Sequence, residues 1–176
     1  MASRTILSLP PVGSSKAKAT HRFEEIAQKI YETVAGKRAD AAKEHPMKVS
    51  REAYAHFRQR AYKLLSYYVD NEFQEAFRWL LEMYGEAPKR SRGSVKENDF
   101  HLGLLAMTAS AGQFMHPNKL RDLAARMKEA YEGGVAEAEF NKYVSQARRK
   151  AQCDRVLLSE EVGLAIQQRN LTSAKY

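Results

Sequence analysis

Positively charged side chains are the residues of this sequence whose types and spacing best suit a chemical task. Four of them lie in APKRSRGSVK, residues 87–96, and two further groups lie in segments with helical periodicity. The candidate phosphate-binding residues are Lys89, Arg90, Arg92 and Lys96; Arg148, Arg149, Lys150 and Arg155; and Arg58, Arg60 and Lys63. Long cationic side chains bind phosphate groups, and arginine adds bidentate geometry, so these clusters predict contacts with a nucleic-acid backbone. This prediction requires the clusters to converge in the fold, since a single cluster is ordinarily a solvated surface.

The overall charge supports the same class of partner. The chain has 29 Lys and Arg residues against 21 Asp and Glu residues, a formal net charge of +8. Such a balance favours polyanions, either nucleic acid or an acidic protein surface.

Motifs typical of enzymes are absent from the sequence. It contains no phosphate-binding glycine loop, no dinucleotide-binding motif, no HExxH and no GxSxG. The histidines have no i, i+4 pairing that would indicate a metal site; they are His21, His45, His56, His101 and His116. Cys153 has neighbouring arginines but no particular base, so a structural role explains it first. We therefore expect no catalysis, no metal and no cofactor, with an enzyme whose site is assembled by the fold as the third alternative.

Length and composition predict one all-α domain, a bundle of six or seven helices. The chain has 176 residues, 44% of hydrophobic type, with no window long and apolar enough to span a membrane. A single cysteine excludes an intrachain disulfide and favours a reducing, cytoplasmic compartment. We expect a flexible basic N-terminal arm over 1–20, a helical domain over 21–170 and a frayed tail over 171–176. The arm contains serines and no acidic residue, so a targeting signal is its alternative interpretation.

Helix boundaries in the first half follow from apolar stripes and from residues that end helices. A stripe beginning at Phe23 is predicted to end at Gly36, and Pro46 should close any weak extension. Ser50 is the predicted N-cap of the next helix, and the pair Asp70 and Asn71 should form its closing turn. A third, aromatic helix is predicted to end at Gly85.

The second half predicts a central helix over 98–114, because this segment is nearly apolar all round. Pro117 should open the next helix, and Gly133 and Gly134 should close it. A basic helix is then predicted over 135–151, followed by a short helix capped by Ser159.

Three features leave alternatives open. Trp79 is expected at the edge of the core or facing a partner. Tyr62 and Tyr67 lie off the main stripe and are the aromatic residues best placed to stack on bases. Residues 138–170 resemble a helix-turn-helix in spacing, but the connection is too long and two glutamates would face phosphates.

The leading interpretation is a non-enzymatic factor that binds nucleic acid, DNA or RNA, or assembles a nucleoprotein. The alternative is a helical adaptor or secreted effector that binds a protein partner through its tyrosine-rich helices. Either one is compatible with a homo-oligomer.

Overall fold

The computed structural model describes residues 9–42, 46–86, 98–111, 115–147, 149, 150 and 152. Helix is the regular secondary structure of these residues, and none of them forms a strand, which confirms the all-α prediction. The elements are α1 (Lys16–Ala42), α2 (Pro46–Asp70), α3 (Glu75–Met83), α4 (Asp99–Ala111), α5 (Pro117–Glu132) and a 3₁₀ helix (Glu137–Glu139). Residues 140–147, 149, 150 and 152 are also helical.

The chain divides into two compact units, Met1–Phe140 and Asn141–Tyr176. The sequence predicts one helical domain over 21–170, so the observed division falls within it. In the first unit, α1 packs along α2, and α4 contacts α1, α2, α3 and α5. In the second unit, the described residues of the basic helix expose Lys142, Arg149 and Lys150.

An aromatic cluster joins the first three helices of the first unit. The ring of Phe23 on α1 lies 5.1 Å from the rings of both Tyr68 on α2 and Phe77 on α3. All three side chains are fully buried. The Tyr68 hydroxyl donates to the Ala19 carbonyl oxygen at 2.6 Å, and burial of this group raises its pKa. The aromatic stripes predicted from the sequence thus form the core that fixes α3 against α1.

The predicted central helix is confirmed as α4. Its N-terminus is capped by Asn98, whose side-chain oxygen accepts from the backbone N–H of Phe100 at 3.0 Å. A Cβ atom built on Gly103 would overlap with Cδ2 of the buried Leu65 on α2. Glycine therefore lets α4 approach α2 more closely than any other residue would.

Three helix boundaries differ from the sequence predictions. Helix α1 begins at Lys16, inside the predicted arm, with Pro10 and Ala19 already buried. Beyond Gly36, where the sequence predicted at most a weak extension before Pro46, the helix continues to Ala42, because an isolated glycine inside a helix costs only about 1 kcal/mol and packing compensates for it. Helix α2 begins at Pro46 rather than after Ser50, since a proline is favoured in the first helical turn.

Three helices end with the same backbone arrangement, in which a residue of positive φ follows the helix. Gly85 and Gly134 have φ values of 68° and 65° after α3 and α5, as their sequence positions predict. After α2 the corresponding residue is Glu72, with φ of 58°. The Glu72 N–H donates to the Val69 carbonyl at 3.2 Å, and the next N–H donates to the Tyr68 carbonyl at 2.8 Å.

We expect Glu72→Gly to stabilise the protein. Glycine adopts positive φ without the steric cost that a side chain imposes, although it also increases the entropy of the unfolded chain. The balance predicts a gain of about 0.5–1 kcal/mol in the free energy of unfolding, measured by urea denaturation. Glu86→Gly, one residue beyond the equivalent position of α3, serves as the control. A loss of stability in Glu72→Gly would contradict the role given to this backbone conformation.

Candidate functional site

The three predicted phosphate-binding residues of α2 have different environments in the structure. Arg58 is buried, with 8% of its surface exposed, and its guanidinium lies 5.1 Å from the ring of Tyr54. Its position belongs to the core-facing stripe of α2, four residues after Tyr54, so the prediction of an exposed phosphate contact is wrong for Arg58. Lys63 is partly exposed but its ammonium lies 2.9 Å from the carboxylate of Glu137. Arg60 is exposed.

The other predicted cations fall mostly outside the described residues. These positions are Lys89, Arg90, Arg92, Lys96, Arg148 and Arg155, together with Cys153 and the predicted N-cap Ser159. Arg149 and Lys150 are exposed in the second unit. Convergence of the basic clusters on one face therefore stays a prediction.

The two tyrosines proposed for base stacking make contacts within the protein itself. Tyr62 is 3% exposed, and its ring stacks on Phe140 with centroids 4.2 Å apart. The Tyr62 hydroxyl donates to the Val135 carbonyl oxygen at 2.9 Å. The Tyr67 hydroxyl donates to the carbonyl oxygen of Pro10. The prediction that Tyr62 is exposed is wrong, because the 135–140 segment packs against α2 and covers its ring.

A small basic group that the sequence did not reveal lies across α1 and α2. It contains Lys37, His56 and Arg60, which we call the α1/α2 basic group. Burial lowers the pKa of His56, and the charges of Lys37 and Arg60 lower it further. Lys37 and Arg60 are exposed, and no salt bridge joins either one to a carboxylate of the described residues. The group could bind an anion, although three side chains make a small surface.

A lowered histidine pKa makes stability depend on pH. Burial also lowers the pKa of His101, with a smaller contribution from the charge of Arg121. Both histidines bind protons more readily in the unfolded chain than in the folded one. Above their ordinary pKa of 6.5 both states are unprotonated, and the free energy of unfolding has its full value. This free energy falls as the pH drops below 6.5 and through the lower pKa of the folded state. We expect the melting temperature to decline over this range, and to decline less in a His56→Gln/His101→Gln variant. An identical decline in both proteins would contradict the assignment.

A groove of about 500 Å³ lies between α1 and α3 in the first unit, and we call it the α1/α3 groove. Its lining includes three small side chains, Ala17 and Thr20 of α1 and Ala76 of α3. The Thr20 hydroxyl donates to the Lys16 carbonyl oxygen at 2.8 Å, within α1. The remaining residues of the lining are Lys16, Glu75, Arg78, Trp79 and Glu82.

Charges at the rim of the groove balance. The Lys16 ammonium forms an ion pair with the Glu75 carboxylate, and this hydrogen bond, with the charges of Lys16 and Arg78, lowers the pKa of Glu75. Arg78 and Glu82 supply one further charge of each sign. The rim is therefore close to neutral, although the chain as a whole is strongly positive.

Two large apolar side chains stand exposed beside this groove. Trp79 and Met83 are 51% and 55% exposed and lie one helical turn apart on α3. The opposite face of the same helix buries Ala76, Phe77, Leu80 and Leu81. Tyr84, which follows the helix, donates its hydroxyl to the Glu24 carboxylate of α1. We call Arg78, Trp79, Glu82 and Met83 the outer face of α3.

The outer face of α3 resembles the centre of a protein-binding surface in composition. Tryptophan, methionine and arginine are enriched in such surfaces, where aromatic side chains supply most of the binding energy. One signal of this face is visible in the sequence, since Trp79 falls off the aromatic stripe of its helix. The groove has no such signal, because Lys16 and Glu75 are far apart in the chain.

The described part of the chain shows neither a metal centre nor a membrane span. No three metal-ligating side chains of these residues come together. None of their helices combines the length and the apolarity that crossing a bilayer requires. Comparison with known proteins finds no matching family model, no matching curated protein and no matching solved structure.

Proposed function

We propose that the chain is a helical protein-interaction module that binds its partner through the outer face of α3 and the adjoining α1/α3 groove. The observation that carries this proposal is the exposure of Trp79 at a groove whose lining includes small side chains. The exposed apolar surface of a tryptophan has an unfavourable hydration free energy, and binding to a partner would remove that surface from water. This is the adaptor function that the sequence left as its alternative.

The rigidity of α3 supports the proposal. Its inner face lies in the aromatic core through Phe77, and its C-terminus is fixed by Gly85, whose N–H donates to the Glu82 carbonyl at 3.1 Å. Tyr84 also connects the end of the helix to Glu24 of α1. A surface whose backbone is already fixed loses little entropy on binding.

The balanced rim supports a protein partner over a nucleic acid. Phosphate contacts need cations that are not neutralised, whereas Lys16 is already paired with Glu75. Binding through an apolar face should change little with salt, and binding to nucleic acid should weaken steeply with it.

Site-specific photocrosslinking tests the proposal. A photoreactive phenylalanine analogue replaces Met83 in one variant and Ala125, an exposed residue of α5, in the control. In cells that naturally contain the protein, we expect discrete crosslinked proteins from position 83 and not from position 125. Adding Trp79→Ser to the first variant should abolish them. Equal crosslinking from both positions, or crosslinks that persist in the Trp79→Ser background, would refute the proposal.

Nucleic-acid binding is the second candidate function, and the α1/α2 basic group favours it. Lys37 and Arg60 are exposed on neighbouring helices and lie near His56, which adds a third charge when it is protonated. This group would supply phosphate contacts of its own, in addition to those predicted for the 87–96 segment and for the basic helix.

Salt dependence of binding to an oligonucleotide tests the second candidate. Lys37→Ala/Arg60→Ala should weaken binding to single-stranded and duplex DNA and RNA, and should lower the salt slope by about 1–2 units. Lys18→Ala/Lys29→Ala removes the same charge from exposed positions elsewhere and serves as the control. The triple variant Lys89→Ala/Arg90→Ala/Arg92→Ala tests the 87–96 segment in the same assay. No binding at low salt by the wild-type protein would rule this function out.

A further inference from the structure

The charges on the outer face of α3 are arranged so that they complement a second copy of themselves. Arg78 and Glu82 are exposed, opposite in sign and four residues apart, so they lie on one side of the helix. If two copies of α3 pair antiparallel through their outer faces, with a two-fold axis at the axial level of position 80, position 78 of each copy faces position 82 of the other. Both of the resulting pairs then join an arginine to a glutamate.

The shape of the same surface fits this arrangement. A two-fold interface uses one patch twice, so the patch must contain both a projecting group and a hollow. The outer face of α3 supplies the projecting groups, Trp79 and Met83, and the adjoining groove supplies a hollow of about 500 Å³. Small side chains in its lining, Ala17 and Ala76, leave space for a large ring.

The charge of this patch is compatible with self-association. A chain with a formal charge of +8 repels other copies of itself. The rim of the α1/α3 groove carries two cations and two carboxylates, namely Lys16, Arg78, Glu75 and Glu82, so two copies meet there without that repulsion.

We propose that the occupant of the α1/α3 groove is a second copy of this chain, bound through antiparallel pairing of the outer faces of α3. This rests on the proposed function, because it names the partner of the same surface. Trp79 of each copy enters the groove of the other, and Arg78 of each copy pairs with Glu82 of the other.

The size of α3 sets the strength of the dimer. Nine residues make a helix about 13.5 Å long, so the pairing buries much less than the ~800 Å² per partner of a standard interface. We therefore expect a weak, concentration-dependent dimer with a dissociation constant of about 10–500 μM.

Fluorescence of Trp79 reports on the interface directly, because it is the single tryptophan of the chain. The full chain is studied by light scattering and by tryptophan emission over the same concentration series. We expect the mass to rise from monomer to dimer while the emission shifts to shorter wavelength with the same midpoint. A chain that stays monomeric into the millimolar range, or a dimer whose Trp79 emission does not change, would overturn the proposal.

Charge exchange tests the two-fold pairing. Arg78→Glu alone and Glu82→Arg alone place like charges opposite each other, and each should raise the dissociation constant at least tenfold. The double variant R78E/E82R restores opposite charges and should return the constant to within about threefold of wild type. The pair Lys128 and Glu132 on α5 has the same spacing, and its exchanged variants serve as the control that should leave the constant unchanged. Failure of R78E/E82R to restore dimerisation in a folded protein would refute the antiparallel pairing.

Different results would overturn the proposed protein-binding function and the proposed self-association. A monomeric chain that still crosslinks to another protein from position 83 overturns self-association and retains the interaction function. A monomeric chain without such crosslinks overturns both.

Discussion

Replacing Phe77 with alanine lowers the free energy of unfolding by about 3–5 kcal/mol. The side chain is fully buried, and its ring contacts Phe23 at 5.1 Å and Tyr68 at 5.8 Å between centroids. Its removal leaves a cavity where α1, α2 and α3 meet. The surrounding side chains can fill this cavity only if α3 moves, because Phe77 belongs to α3 itself. Urea denaturation followed by circular dichroism measures the loss.

The matched variant on the same helix is Trp79→Ala. Although tryptophan is larger than phenylalanine, half of its surface is exposed, so its removal should cost about 1–2 kcal/mol, clearly less than the loss at Phe77. This contrast separates the inner face of α3, which stabilises the fold, from the outer face, which is exposed. A loss at Trp79 as large as the loss at Phe77 would place Trp79 in the core and contradict the account of α3.

Replacing Gly103 with alanine destabilises the protein by about 1–3 kcal/mol, although alanine favours helices. The added Cβ atom overlaps with Cδ2 of Leu65, and this leucine is fully buried and has little space to move. The close approach of α4 to α2 therefore depends on the absence of a side chain at this position.

A double-mutant cycle isolates this contact. Leu65→Ala alone should cost about 2–5 kcal/mol, but it removes the atom with which alanine at 103 overlaps. In that background Gly103→Ala should stabilise the protein by about 0.5–1 kcal/mol, because only its helix propensity remains. Gly36→Ala is the control, since a Cβ atom there meets no other atom within 4 Å and should stabilise the protein in either background. An unchanged cost of Gly103→Ala in the Leu65→Ala background would show that the contact is not its cause.

The sequence predicted the fold class and those helix ends that a local signal specifies. Gly85 and Gly134 close α3 and α5 because positive φ favours glycine, and Pro117 opens α5 because proline suits the first helical turn. The prediction at Ser50 failed because Pro46 was also a start signal, and local chemistry does not decide between two such signals. Continuation of α1 through Gly36 depends on its packing along α2, which no local pattern shows.

The candidate site was harder to predict because it is assembled from distant segments. Arg58 looked like a surface cation, yet its spacing from Tyr54 places it on the buried stripe, where the aliphatic part of the side chain packs. The groove joins Lys16 to Glu75 across two helices, and the α1/α2 basic group joins Lys37 to His56 in the same way. Only Trp79 gave a signal in the sequence, as an aromatic residue off its helical stripe.

The central claim is that the outer face of α3 binds protein, and capture from nuclease-treated extracts tests it most directly. The wild-type chain, a Trp79→Ser/Met83→Ser variant and the Lys37→Ala/Arg60→Ala variant are compared at about 0.1 M and about 1 M salt, between which the Debye length falls from about 10 to about 3 Å. The account predicts that wild type and Lys37→Ala/Arg60→Ala capture the same protein at both salt concentrations, and that Trp79→Ser/Met83→Ser does not. Capture that survives Trp79→Ser/Met83→Ser, and disappears with high salt or with Lys37→Ala/Arg60→Ala, would contradict it.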